Sequence, residues 1–233
     1  MKKSFAINTI LACAAALVIA SPRSAQAAAV TFDDFNVTEG HFTANPPTGS
    51  GSSSNIKTDS TADRVTTNGP LEGAGHQKLV LNATTLATAM RLRHLSGSGT
   101  VANNTAFITS AGDDGWIGLY VKADATNDPN WTVQIWLEGS TSGHNNGSVP
   151  KTIIADGTWH LYEWNLDDNS GGVDGWGTIS GIIAGIATVE DISHTIDSVI
   201  FRNATGPASS TLFRFCSQKR QRIRFEPVAR SLP

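Results

Sequence analysis

The sequence predicts an all-β fold, an antiparallel β-sandwich or barrel. Short runs rich in Val, Ile, Thr and aromatic residues recur between clusters of Gly, Ser, Thr and Asn, as strands joined by turns do. No stretch carries the sustained 3.6-residue period of a long amphipathic helix.

The runs are, in order, VTFDDFN (30–36), QKLVLNA (77–83), TAMRLRHL (88–95), WIGLYVKA (116–123), WTVQIWLE (131–138), TWHLYEWNL (158–166), GIIAGIA (181–187), TIDSVIFRN (195–203) and STLFRF (210–215). Between them, PPTGSGSSSN (46–55) and EGSTSGHNNGSV (138–149) are loops by composition. Three Asp-Gly pairs stand just before a Trp: Asp114-Gly115-Trp116, Asp156-Gly157-Thr158-Trp159 and Asp174-Gly175-Trp176. Asp-Gly favours tight turns, so each marks a strand entry or a loop corner. There is no true internal repeat.

Alternation assigns the faces of the strands. In WTVQIWLE, Trp131, Val133, Ile135 and Leu137 share one side and read as core. Thr132, Gln134, Trp136 and Glu138 share the other. In WIGLYVKA, Ile117, Leu119 and Val121 oppose Trp116, Tyr120 and Lys122. In TAMRLRHL, Met90 and Leu92 oppose Arg91 and Arg93. In TWHLYEWNL, Tyr162, Trp164 and Leu166 fall on the core side behind His160, with Leu161, Glu163 and Asn165 opposite. Trp159 is out of the core register unless a bulge follows the turn.

The chain opens MKK, continues with the apolar run ILACAAALVIA (10–20) and reaches the A-x-A site Ala25-Gln26-Ala27. These are the parts of a secretory signal peptide over residues 1–27, with an apolar run too short to span a bilayer comfortably. The expectation is a secreted or cell-surface protein with no membrane span after cleavage. Cys13 would leave with the leader, so Cys216 would be the one remaining thiol and no intrachain disulfide could form.

Residues 28–215 then form one β-sandwich domain, long enough to bury a sizeable core. That segment carries 19 Asp+Glu against 9 Lys+Arg, a charge of −10. Such a balance argues against nucleic acid as a partner, because phosphates demand a basic face. Residues 216–233 hold five basic residues and one acid and read as a basic, disordered tail.

VTFDDFN, ADGTWHLYEWNL and HTIDSVIFRN with STLFRF resemble landmarks of the galactose-binding-like jelly roll shared by many carbohydrate-binding modules of secreted bacterial proteins. The resemblance covers most of Val30 to Phe215 and implies a jelly-roll sandwich that recognises glycan without catalysis. It also implies a structural calcium near the first strand, held by Asp33 or Asp34. In that family the last strand usually ends in an acid that helps hold the metal. Here Arg214 occupies the place, so any calcium is expected to be weakly held.

Sugar recognition needs flat apolar faces and planar polar groups. Trp136, Gln134, Trp116, Tyr120, Arg91 and Arg93 supply both, and they are the expected contacts for an extracellular glycan. The same rings could instead pack under a loop or a second sheet, and the exposure of Trp136 decides between the two. A matrix protein of the same fold and a polysaccharide-cleaving enzyme are the alternatives. Glycosidase chemistry needs two carboxylates flanking a bond, and Glu138 and Glu163 are the one pair beside tryptophans on strands. Asp167, Asn169, Gly171 and Asp174 imitate a calcium loop without its terminal Glu and read as an Asx-rich turn. There is no G-x-S-x-G, and the six histidines lack zinc spacing.

Overall fold

The computed structural model describes residues 32–33, 35, 41–48, 51–67, 74–97, 107–109, 116–125, 127–139, 146–166, 168, 170, 172–176, 192–207 and 213–218. Alternation of buried and half-buried residues organises these segments into eleven strands. They are β1 (Thr61–Val65), β2 (His76–Leu81), β3 (Met90–Leu95), β4 (Phe107–Thr109), β5 (Trp116–Ala123) and β6 (Trp131–Gly139). Then come β7 (Asn146–Gly147), β8 (Lys151–Thr152), β9 (Trp159–Asn165), β10 (Ile192–Asn203) and β11 (Phe213–Gln218). No helix among the described residues is long and apolar enough to cross a membrane.

The strands form two sheets. The first has the order β1-β2-β11-β5-β9; the second has β3-β10-β6-β7, with β4 also on β10 and β8 on β6. All the strand pairings are antiparallel. The chain passes repeatedly from one sheet to the other, so most sheet neighbours are far apart in sequence. The protein is an antiparallel β-sandwich.

One hydrophobic core lies between the sheets. Leu79 and Leu81 of β2, Ile117, Leu119 and Val121 of β5, and Tyr162 and Trp164 of β9 enter it from the first sheet. Met90 and Leu92 of β3, Trp131, Val133, Ile135 and Leu137 of β6, and Ile196, Val199 and Phe201 of β10 enter it from the second. The face assignments read from β3, β5, β6 and β9 therefore hold. Trp164 is fully buried, and its indole Nε1 donates to the carbonyl of Val149 at 2.7 Å.

The tight turn before β9 is also present. Gly157 has φ +78°, the left-handed conformation that glycine adopts without steric cost. Asp156 caps this turn by accepting hydrogen bonds from the backbone N–H and hydroxyl of Thr158, and it faces His160 Nε2 at 2.9 Å. These bonds to Thr158 and His160 hold the Asp156 carboxyl down at about 2.

Several elements differ from expectation. Of the first expected strand, 30–36, the described residues Phe32, Asp33 and Phe35 form no strand. Asp33 Oδ1 accepts the N–H of Phe35, and Phe35 takes φ 56°. Such an Asx turn competes with a ladder for the same backbone donor. Phe32 and Phe35 are still buried in the core. β1, β4, β7 and β8 were not foreseen. The last strand runs three residues beyond the Phe215 boundary, pairing Cys216 with both Lys78 and Lys122. The expected strand 181–187 lies outside the described residues.

β10 contains an irregularity that shapes the surface. Its register on β6 shifts between Ile196 and Ser198. Ile196 pairs with core-facing Leu137, whereas Ser198 and Ile200 pair with outward-facing Trp136 and Gln134. The extra residue at this bulge is Asp197, which a bulge re-aims.

Candidate functional site: the outer face of the second sheet

On β6 the polar side of the alternation is the solvent side of the second sheet. Gln134, Trp136 and Glu138 are all half-buried there. β10 and β3 add cross-strand neighbours. Arg93 and Gln134 both pair with Ile200; Arg91 and Thr132 both pair with Arg202; Leu95 and Trp136 both pair with Ser198. Four of the six expected ligand residues therefore share one surface: Trp136, Gln134, Arg91 and Arg93.

Trp136 is held in place by a close backbone. A Cβ added at Gly147 on β7 would stand 2.6 Å from Trp136 Cε3 and 2.7 Å from Gln134 Nε2. Only glycine lets β7 approach both side chains this closely. Gln134 Nε2 also donates to the carbonyl of Ser148 at 3.3 Å. Ring and amide are thus oriented together by one short strand.

Arg93 is anchored. Its Nη2 and Nε donate to Asp197 Oδ2 at 2.7 and 3.2 Å, and Nε also lies 3.3 Å from Ser198 Oγ. Its Nη1 reaches Ser52 Oγ at 3.4 Å, and its backbone N–H donates to Ser53 Oγ at 3.0 Å. Ser54 bridges Arg91 through the backbone in both directions, so the serine-rich loop runs along the edge of β3. Asp197 is buried, and the sequence reading missed it. Only the β10 bulge turns it toward Arg93, and nothing local in TIDSVIFRN announces that bulge.

Glu138 completes the face. Burial is the main cause that raises its carboxyl above the ordinary value; Asp197 adds to this and Arg93 opposes it. Its Oε2 is buried with no hydrogen-bond partner among the described residues.

Trp116 and Tyr120 are not part of this surface. They stand on β5, on the outer face of the first sheet, with the whole core between them and Trp136. The six expected contacts therefore cannot form a single site. The physical reason is that β5 and β6, adjacent in sequence, belong to different sheets. Trp116 and Tyr120 instead keep company with Trp159, which pairs with Lys122 without any bulge. The Trp159 ring meets His76 edge-on at 5.9 Å. His76 is fully buried and neither ring nitrogen has a hydrogen-bond partner among the described residues. Burial, then Lys122 and Lys78, lower its pKa.

Glu138 and Glu163 are likewise divided. Glu138 points outward from the second sheet, and Glu163, paired with Gly118, points outward from the first. Stacked sheets lie about 10 Å apart before the side chains diverge. This pair cannot straddle one glycosidic bond, which needs carboxyls within about 5–9.5 Å.

Of the two expected calcium ligands, Asp33 is the one that lies among the described residues. Asp33 is buried with Oδ1 taken by the Phe35 N–H and Oδ2 facing His41 Nδ1 at 3.5 Å. Asp34 lies outside the described residues, as do Asp167, Asn169 and Gly171. No group of three or more His, Cys, Asp or Glu suited to a metal occurs among the described residues.

Solved structures similar to this chain include carbohydrate-binding modules, all at low identity. One similar solved structure is the family 11 carbohydrate-binding module from Clostridium thermocellum in complex with a β-1,3-1,4-mixed-linked tetrasaccharide. Identity is 14%, the TM-score 0.42, and the match covers 83% of this chain and 94% of that one. A second is the family 11 module of a cellulosomal cellulase of Clostridium thermocellum, at 14% identity and TM-score 0.40, covering 84% and 95%. A third is a family 29 carbohydrate-binding module, at 12% identity and TM-score 0.36, covering 84% and 91%. No protein-family model matches the chain, and no curated protein does.

Proposed function

We propose that this protein is an exported, non-catalytic carbohydrate-binding β-sandwich that holds extracellular glycan on the outer face of its second sheet. The observation that carries this reading is the pairing of half-buried Trp136 with Gln134, both fixed against Gly147, on a sheet face that also presents guanidinium groups. A sugar ring offers C–H faces to an indole and hydroxyls to planar amide and guanidinium donors. The N-terminal leader pattern supports export. Calcium, if the protein takes it up, is held weakly, because Asp33 already has its partners.

The test is retention on immobilised polysaccharides in affinity gels. Trp136→Ala should weaken binding by about 2 kcal/mol or more, as for a central aromatic anchor, with the near-UV spectrum of the core preserved. Trp116→Ala and Tyr120→Ala should leave retention unchanged. If instead those two variants lose binding and Trp136→Ala does not, the site is on the first sheet and this assignment is wrong.

A further inference from the structure

Arg91 and Arg202 stand directly opposite each other across β3 and β10. Arg202 is exposed, Arg91 is half-buried, and Arg93 follows two residues along β3. Like charges directly opposite on neighbouring strands destabilise a sheet. Arg93 is neutralised by Asp197. Neither Arg91 nor Arg202 has a side-chain hydrogen-bond or carboxylate partner among the described residues. Burial is the main cause that lowers the Arg91 pKa, and the neighbouring Arg93 and Arg202 lower it further.

This concentration runs against the rest of the domain. Residues 28–215 contain five arginines (64, 91, 93, 202 and 214) in a segment of charge −10, and three of the five are on this face. Glu138, the other carboxylate of the face, is at its far end. Arg202 pairs with Thr132, six residues before Glu138 on β6, roughly 20 Å at strand spacing.

Resting on the glycan-binding reading above, we infer that the ligand is an acidic polysaccharide, whose sugar ring stacks at Trp136 while an oxyanion, carboxylate or sulfate, is clasped between Arg91 and Arg202. Thr132 and Trp136 are four residues apart on β6, so ring and clasp are separated by roughly 14 Å. That is a span for a short oligosaccharide lying along the strand. Planar guanidinium forks suit carboxylates, and charge-assisted bonds there are short and strong. An anion between the two cations also removes the repulsion that the unliganded sheet carries.

The experiment uses the full chain on three gels: polygalacturonate, dextran sulfate and mixed-linkage β-glucan. The variants are Arg91→Gln, Arg202→Gln and Trp136→Ala. Retention is expected on at least one of the two polyanions, the carboxylate and sulfate arms separating the two sources of charge. Each arginine variant should weaken it by about tenfold, as should high salt, while Arg202→Gln melts at or above the wild-type temperature because repulsion is relieved.

Binding to the neutral glucan alone, dependent on Trp136 and indifferent to both arginine variants, overturns the acidic ligand but keeps the glycan reading. Polyanion binding that survives both arginine variants belongs to the basic residues after Gln218 and overturns the proposal. No retention on any gel overturns both readings.

Discussion

Removing Trp164 tests the core directly. Its ring is fully buried between the sheets, and its Nε1–H satisfies the Val149 carbonyl at 2.7 Å. Lys151 Nζ lies 5.4 Å from the ring centroid while paired with Asp174 at 3.2 Å. Trp164→Ala deletes a buried aromatic, which costs about 3–5 kcal/mol through lost burial and the residual cavity. It also removes the hydrogen bond to the part-buried Val149 carbonyl, which costs about 1 kcal/mol more. A domain holds about 5–15 kcal/mol in total, so this variant should be largely unfolded or melt far below wild type.

Trp164→Phe separates the two contributions. It keeps most of the bulk and loses the hydrogen bond, so it should cost about 1–3 kcal/mol, or roughly 3–10 °C in Tm for a domain of this size. Urea unfolding followed by tryptophan fluorescence and far-UV circular dichroism gives both numbers. If Trp164→Ala melts within a degree or two of wild type, the ring is not in the core and the facing of β9 is wrong. If the two variants cost the same, the Val149 bond and not ring burial dominates.

Three further outcomes follow from the geometry. His94 is buried, donates from Nε2 to Gln77 Oε1 at 2.9 Å, and has its pKa pushed down to about 4 by burial. The unfolded chain therefore takes up this proton first, near its ordinary value of about 6.5. The stability from keeping His94 neutral is complete above that pH and is lost as pH falls toward 4, by about 3 kcal/mol. Urea midpoints of His94→Gln should depend less on pH across this window than wild type; parallel slopes would show that His94 is not the group responsible.

Gly147→Ala forces a Cβ into Trp136 and Gln134. It should cost about 1–3 kcal/mol and weaken glycan retention, whereas unchanged retention would mean that β7 does not position the ring. Calcium or a chelator should barely move Tm; a rise of roughly 5–10 °C, as for a ligand at 100 times its Kd, would reveal a real site.

Much of the fold was legible because strands with one buried side write a period of two into the sequence. β5 begins and ends where WIGLYVKA does, and β6 and β9 match to within a residue. Short edge strands leave no such trace. TADRV offers a single buried apolar position, Ala62, and β7 consists of Asn146 and Gly147. The first expected strand failed for a local reason, since Asp33 captures the Phe35 N–H that a ladder would need.

The candidate site was legible by residue type and not by place. Alternation fixes which side of a strand a ring is on, yet it cannot say which sheet the strand joins. β2 finds its neighbour at β11, with Leu79 beside Phe215, and no local signal spans that distance. Trp116 and Trp136 therefore looked like members of one face and are on opposite sides of the sandwich. Net charge misleads in the same way, because it sums over a surface that a ligand never sees whole. A charge of −10 describes the segment, but Arg91 and Arg202 are 111 positions apart (202 − 91) and become neighbours only through the register of β3 on β10. Period-two reading of TIDSVIFRN puts Ile196, Ile200 and Arg202 on one side. The bulge at Asp197 breaks that phase, sends Ile196 into the core and leaves Ile200 and Arg202 facing outward beside Arg91. One unpaired residue in β10 thus decides both where the arginines gather and which carboxylate neutralises the third of them.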